Sequence, residues 1–142
     1  MLLTKIDPKK TCLMIIDMQN DFITPGYPLY GEMGYKMIPK LADFAQKCRD
    51  RGVQVIYTRT AYRMDGKDMG AAAEFCQPVK ERKALIDGQL GSEIPDSLKP
   101  QEGDIVLNKY KYSAFYGTNL DILLNNQGID TMLISGVCTE AC

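Results

Sequence analysis

Histidine is absent from this 142-residue sequence, and so is tryptophan. Without an imidazole, Ser-His-Asp and Cys-His nucleophile pairs, His-ligated zinc and the two-His helix of metalloproteases are all excluded. Any general base must come from Asp, Glu, Lys, Tyr or Cys. An excess of one charge is also missing: 17 Lys and Arg face 18 Asp and Glu, a net charge of −1. With no basic stripe to neutralise phosphates, nucleic acid is not an expected partner. Long apolar runs are lacking too, since Cys12 to Ile16 is the longest near the N-terminus and a spanning helix needs roughly 18 residues. No membrane association is expected. The segment from Met1 to Pro8 reaches charge and proline before an apolar signal core can form, so a cytoplasmic location is expected.

The five cysteines, Cys12, Cys48, Cys76, Cys138 and Cys142, are odd in number and contain no Cys-x-x-Cys pair, which supports neither a disulfide framework nor a thiolate metal cage. No Gly-x-Gly-x-x-Gly follows a strand, and Gly66-Lys67 lacks the earlier glycine of a phosphate loop. Neither a cofactor nor a metal is expected.

What is present is an alternation of short apolar strands and helices. Thr11–Ile16 is apolar or β-branched without alternation, as in a strand buried on both faces. Pro25, Gly26, Pro28, Gly31 and Gly34 mark a loop over its end. From Ile38, the positions Leu41, Phe44, Ala45 and Cys48 predict a helix that stops at Arg51-Gly52. Val53–Thr58 reads as a second strand. Residues 60–101, divided by glycine and proline, predict a long excursion with short helical pieces of the kind that lines a site. Asp104–Leu107 predicts a third strand, Leu120–Asn126 a helix ended by Gly128, and Thr131–Ile134 a fourth strand. This order argues for one α/β domain over residues 1–142: a three-layer, Rossmann-like open parallel β-sheet with helices on both faces. Ligands of such sheets bind at the carboxyl ends of the strands. Asp17, Asn108-Lys109 and the segment from Gly136 to Cys142 fall there.

One carboxylate, one ammonium and one thiol at the same sheet rim could act as base, electrostatic partner and nucleophile. Each also has an ordinary reading, as a turn residue, a solvated charge and a packing thiol respectively. Phe22 and Phe115 are candidates to wall a substrate or simply to pack the core. Arg59 and Arg63 are candidates to fork onto a substrate carboxylate or to pair within the protein.

Three segments together resemble the isochorismatase-like cysteine hydrolases: Ile15-Ile16-Asp17-Met18-Gln19-Asn20-Asp21-Phe22, Lys109 to Asp121, and Gly136-Val137-Cys138-Thr139-Glu140-Ala141-Cys142. The resemblance implies that family's fold and a catalytic triad of Asp17, Lys109 and Cys142. It also implies a cis peptide between Val137 and Cys138, with the backbone N–H groups of Cys138 and Cys142 facing an oxyanion. In physical terms, Lys109 and a helix opening at Cys142 would favour the thiolate. Asp17 would take the thiol proton and deliver it to the departing amine, and water would then cleave the thioester.

Nicotinamidases of this family hold a metal with an Asp and two His after the second strand, where this chain reads Tyr57-Thr58-Arg59-Thr60-Ala61-Tyr62-Arg63, so that metal site is not expected. The resemblance instead points to the metal-free branch, similar to N-carbamoylsarcosine amidase and ureidoacrylate hydrolase. Its substrate would be a small amide or ureido compound and its assembly a homo-oligomer, dimer or tetramer. A vinyl ether hydrolase of the isochorismatase type is the alternative chemistry. Family members continue beyond the nucleophile, so the domain is expected to lack its C-terminal part and, as written, to be inactive. Readings from other classes are an inactive hydrolase-fold binding module and a redox sensor built on Cys138 and Cys142.

Overall fold

The computed structural model describes residues 5–138 and 141–142, so Thr139 and Glu140 of the third motif lie outside the described residues. Four strands, β1 (Thr11–Ile16), β2 (Gln54–Thr60), β3 (Ile105–Lys109) and β4 (Thr131–Gly136), form one sheet in the order β3-β2-β1-β4. Every pairing is parallel. The helices are α1 (Asn20–Ile23), α2 (Glu32–Arg49), α3 (Ala72–Phe75), α4 (Gln77–Lys80) and α5 (Leu120–Asn126).

The uniform apolar run of β1 follows from its position, because it lies between two strands and is covered on both faces. Its alternate residues feed two cores. Leu13 and Ile15 join Val55, Tyr57 and the α2 residues Ile38, Leu41, Ala45 and Cys48. Cys12, Met14 and Ile16 join Ile56, Leu107 and the α5 residues Leu120 and Leu124. A third cluster, with Tyr62, Met69, Val79 and Ile86, fills the inside of the excursion. The expected helices on both faces of a parallel sheet are therefore present. Among the described residues no helix is long and apolar enough to cross a membrane.

Several boundaries move. Helix α2 begins at Glu32 rather than near Ile38, although Gly34 reads as a breaker in the sequence, and it runs through Pro39. Gly34 sits in the helix because packing requires it: a Cβ there would lie 2.7 Å from Ile23 Cγ2 and 3.2 Å from Val137 Cγ1. Phe44, counted on the helix's apolar face, is 43% exposed, while Leu41, Ala45 and Cys48 are buried. Strands β2 and β3 each extend two residues beyond the expectation, to Thr60 and Lys109, and these two are register partners.

Gly136 closes the rim at the end of β4. At φ +119°, a Cβ on it would stand 2.2 Å from Ile16 O and 2.6 Å from Ile16 N, both backbone atoms of the neighbouring strand. Gly136→Ala must push β4 off β1, and we expect it to destabilise the fold by roughly 3 kcal/mol or more. Urea unfolding checks this, and an unchanged midpoint would show that the strands can separate here at little cost.

Candidate active site

Asp17 leaves β1 at φ +49°, a left-handed conformation that aspartate tolerates better than most residues. This bend turns its carboxylate into the protein rather than along the strand, and the residue is fully buried. Each carboxylate oxygen has assigned donors. Thr58 Oγ1 donates to Oδ1 at 2.7 Å, and Thr60 Oγ1 donates to Oδ2 at 3.0 Å. Lys109 Nζ stands 2.7 Å from Oδ2, with both side chains 1% exposed. Cys142 Sγ is 3.3 Å from the same Oδ2 and 3.4 Å from Lys109 Nζ. The carboxylate, ammonium and thiol singled out in the sequence therefore touch one another.

The segment after Asp17 fixes this geometry. Gln19, fully buried, accepts from Thr60 N at 2.8 Å and donates to Thr60 O at 2.7 Å and Ser92 O at 2.8 Å. Asn20 Nδ2 donates to Leu90 O. Asp21 Oδ2 accepts from Leu85 N at 2.6 Å, and a Cβ on Gly91 would fall 2.3 Å from Asp21 Oδ1. Three consecutive polar side chains thus pin the excursion over the end of β1. Burial pushes the Asp21 carboxyl up, against the Leu85 N–H that favours its charged form.

Burial also pushes the Cys142 thiol above the ordinary range, and the Asp17 charge adds to the shift, while Lys109 works in the opposite direction. Lys109 thus has the expected sign, but burial and the Asp17 charge outweigh it. The sulfur shares Asp17 Oδ2 with the Lys109 ammonium and holds its proton as a donor to that oxygen. Tyr62, whose ring lies in the excursion core, is raised to about 12 by burial first and then by Tyr112, Asp17, Asp68 and Cys142. It is a neutral phenol beside the site.

The peptide bond between Val137 and Cys138 is cis. The Cys142 N–H, expected to face an oxyanion, donates to Cys138 O at 3.0 Å. Cys138 and Cys142 line a common hollow of about 270 Å³. Phe115 and Tyr112 line another, of about 280 Å³, that also reaches Cys142. Phe22 lies on a third hollow, of about 530 Å³, which reaches Cys138 but not Cys142.

The two arginines do not join the cluster. Arg59 bonds Asn108 and pairs with Asp87 and Glu93, which engages its guanidinium within the protein. Arg63 is exposed and forks onto Asp65, two residues along the chain. Thr58, Thr60 and Gln19 are the site residues that the sequence did not single out. The period-2 spacing of Thr58 and Thr60 on a strand that runs to residue 60 was the available signal. Among the described residues no cluster of His, Cys, Asp or Glu could hold a metal ion.

The electrostatics can be checked by alkylating Cys142 with iodoacetamide across a pH series. The rate is expected to keep rising beyond the pH at which glutathione levels off. Asp17→Asn should move the curve to lower pH and Lys109→Met to higher pH, because the carboxylate opposes the thiolate and the ammonium favours it. A parent curve that levels off below that of glutathione would contradict this assignment.

The isochorismatase domain matches residues 11–142 of the chain. The ureidoacrylate amidohydrolase RutB of Caulobacter segnis is 31% identical over 96% of this chain and 64% of its own length. A cysteine hydrolase from Pseudomonas syringae pv. phaseolicola 1448A superposes with a TM-score of 0.90 at 31% identity, covering 96% of this chain and 63% of that one. The N-carbamoylsarcosine amidase of Thermoplasma acidophilum superposes with a TM-score of 0.79 at 31% identity, covering 94% of this chain and 70% of that one. This chain therefore spans just under two thirds of the first two proteins' lengths. With the sheet order, the cluster at its carboxyl edge and these matches in agreement, the chain belongs to the isochorismatase family.

Proposed function

We propose that this chain carries the catalytic groups of a cysteine hydrolase that cleaves the C–N bond of a small amide or ureido compound through a thioester on Cys142. The observation that carries the reading is the convergence of Cys142 Sγ and Lys109 Nζ on one oxygen of Asp17, at 3.3 and 2.7 Å. A thiol held neutral beside a buried carboxylate has its base already in hydrogen-bond contact. As Sγ bonds to the carbonyl carbon, its proton passes to Asp17 Oδ2. Lys109, 3.4 Å from the sulfur, offsets the negative charge that the attack creates. Asp17 then gives the proton to the nitrogen as the C–N bond breaks and the amine or ammonia leaves. Water, deprotonated by Asp17, attacks the thioester, releasing the acid or carbamate and restoring the thiol. The developing oxyanion is assigned to the N–H groups of Cys138 and Cys142, which requires the Cys142 N–H to give up its bond to Cys138 O. The names of the relatives, an ureidoacrylate amidohydrolase and an N-carbamoylsarcosine amidase, support this substrate class.

The hollows that reach the sulfur, about 270 and 280 Å³, suit a small substrate. Apolar Ile16, Ile134 and Val137 wall the first, and Phe115 walls the second, which fits an acyl part with an apolar or planar portion. Arg59 and Arg63, engaged elsewhere, are given no part in binding.

A panel of small amides and ureido acids, with ammonia or amine release as the readout, tests this reading on the protein purified from its natural source together with any residues that follow Cys142. At least one member should be turned over. Cys142→Ala should abolish that turnover, and Asp17→Asn should lower kcat by about 100-fold or more. Turnover that survives Cys142→Ala would refute the thioester route.

A further inference from the structure

Thr60 belongs to none of the three motifs, yet it stands between the two charges of the cluster. Its hydroxyl oxygen lies 3.0 Å from Lys109 Nζ and 3.0 Å from Asp17 Oδ2. An ammonium only donates and a carboxylate only accepts, so the directions are fixed. Lys109 gives a proton to Thr60, and Thr60 commits its own single proton to Oδ2. That oxygen is the one Cys142 touches. Thr58 differs, since it donates to Oδ1 and accepts the Asp17 N–H at 3.2 Å. It holds the carboxylate's far side and the backbone, without contact to the ammonium.

Thr60 is itself held from three directions. Gln19 grips its N–H and its carbonyl, Lys109 is its register partner on β3, and the residue is buried. A β-branched side chain on a fixed backbone has little freedom at χ1, so the hydroxyl points one way. Lys109 has four acceptors within reach for its three protons: Asp17 Oδ2, Thr60 Oγ1, Lys111 O and Cys142 Sγ. With one proton on Thr60, the other two are left to Asp17 Oδ2, Lys111 O and Cys142 Sγ.

We propose that Thr60 is the positioning residue of the proton transfer: its hydroxyl holds Asp17 Oδ2 as an unprotonated acceptor facing Cys142 and keeps the Lys109 ammonium against both. The inference rests on the reading of Asp17 as base and Cys142 as nucleophile. The charged and titratable groups that face Asp17 are Lys109 from β3, Cys142 after β4 and the Tyr62 phenol beyond β2. None of these is removed by changing Thr60, so the contribution of the hydroxyl can be isolated.

A carboxylate that loses a donor takes up a proton more readily. Thr60→Val, which keeps the shape and deletes the hydroxyl, is expected to shift the acid limb of the kcat/KM profile upward by about one pH unit. Thr60→Ser, which restores the hydroxyl, should return the limb to the parent position. A purely structural threonine would lower activity evenly across pH, and serine would not rescue the limb. The same displacement can be read without substrate, from the pH midpoint of the Asp17 carboxyl carbon resonance, assigned by its loss in Asp17→Asn. Equal midpoints in the parent and Thr60→Val would overturn the proposal even if amides are cleaved. A displaced midpoint in a protein that cleaves no amide would leave only the hold of Thr60 on the Asp17 carboxylate standing and reject the amidohydrolase reading. If Thr60→Val loses its circular dichroism signature, Thr60→Ala takes its place with the same two readings.

Discussion

The contact between Lys109 and Asp17 brings opposite charges to 2.7 Å with almost no exposure of either side chain. Removing one partner of such a pair typically costs about 3–5 kcal/mol, because the other charge is left buried and alone. The pair therefore constrains the ends of three strands at once. Asp17 leaves β1, its oxygens are held by threonines of β2, and Lys109 ends β3. The left-handed backbone at Asp17 and the glycine at Gly136, where β4 passes within reach of Ile16, are local costs accepted so that these ends converge. Much of the polar hardware at the rim follows from keeping two buried charges satisfied.

Chemistry follows from the same arrangement. A thiol next to a buried carboxylate keeps its proton, and the ammonium behind both reduces the cost of releasing it. Resting neutrality and a lowered cost of deprotonation are two consequences of one geometry. The excursion over residues 61–93 completes the site from above. It is tied down by Gln19, Asn20 and Asp21, the polar residues that follow Asp17 and Met18. This polar run of the first motif is the clamp that holds the loop and the Thr60 backbone against Asp17.

Much of this was legible in the sequence. The apolar run of β1, the helical spacing of Leu41, Ala45 and Cys48, and Leu120–Asn126 before Gly128 each state their structure locally. Asp17, Lys109 and Cys142 were readable because strand ends in a parallel sheet share one rim. What the sequence hid depends on distant contacts. The α2 start is set by Ile23 and Val137 packing against Gly34, which no local propensity records. The Arg59 ion pairs join residues 28 and 34 positions apart, and the Thr60 bridge joins positions 43 and 49 apart. The Cys142 N–H was expected to be free, and its bond to Cys138 O became visible only in the three-dimensional chain.

The proposed function requires that the sulfur of Cys142 bond covalently to the substrate's acyl group. Intact-mass spectrometry of the protein, quenched in acid during turnover of an amide, tests it most directly. A mass increase equal to the acyl fragment is expected, mapped by peptide digestion to Cys142 and absent from Cys142→Ala. Turnover with no adduct at any quench time, or an adduct on another cysteine, would contradict it.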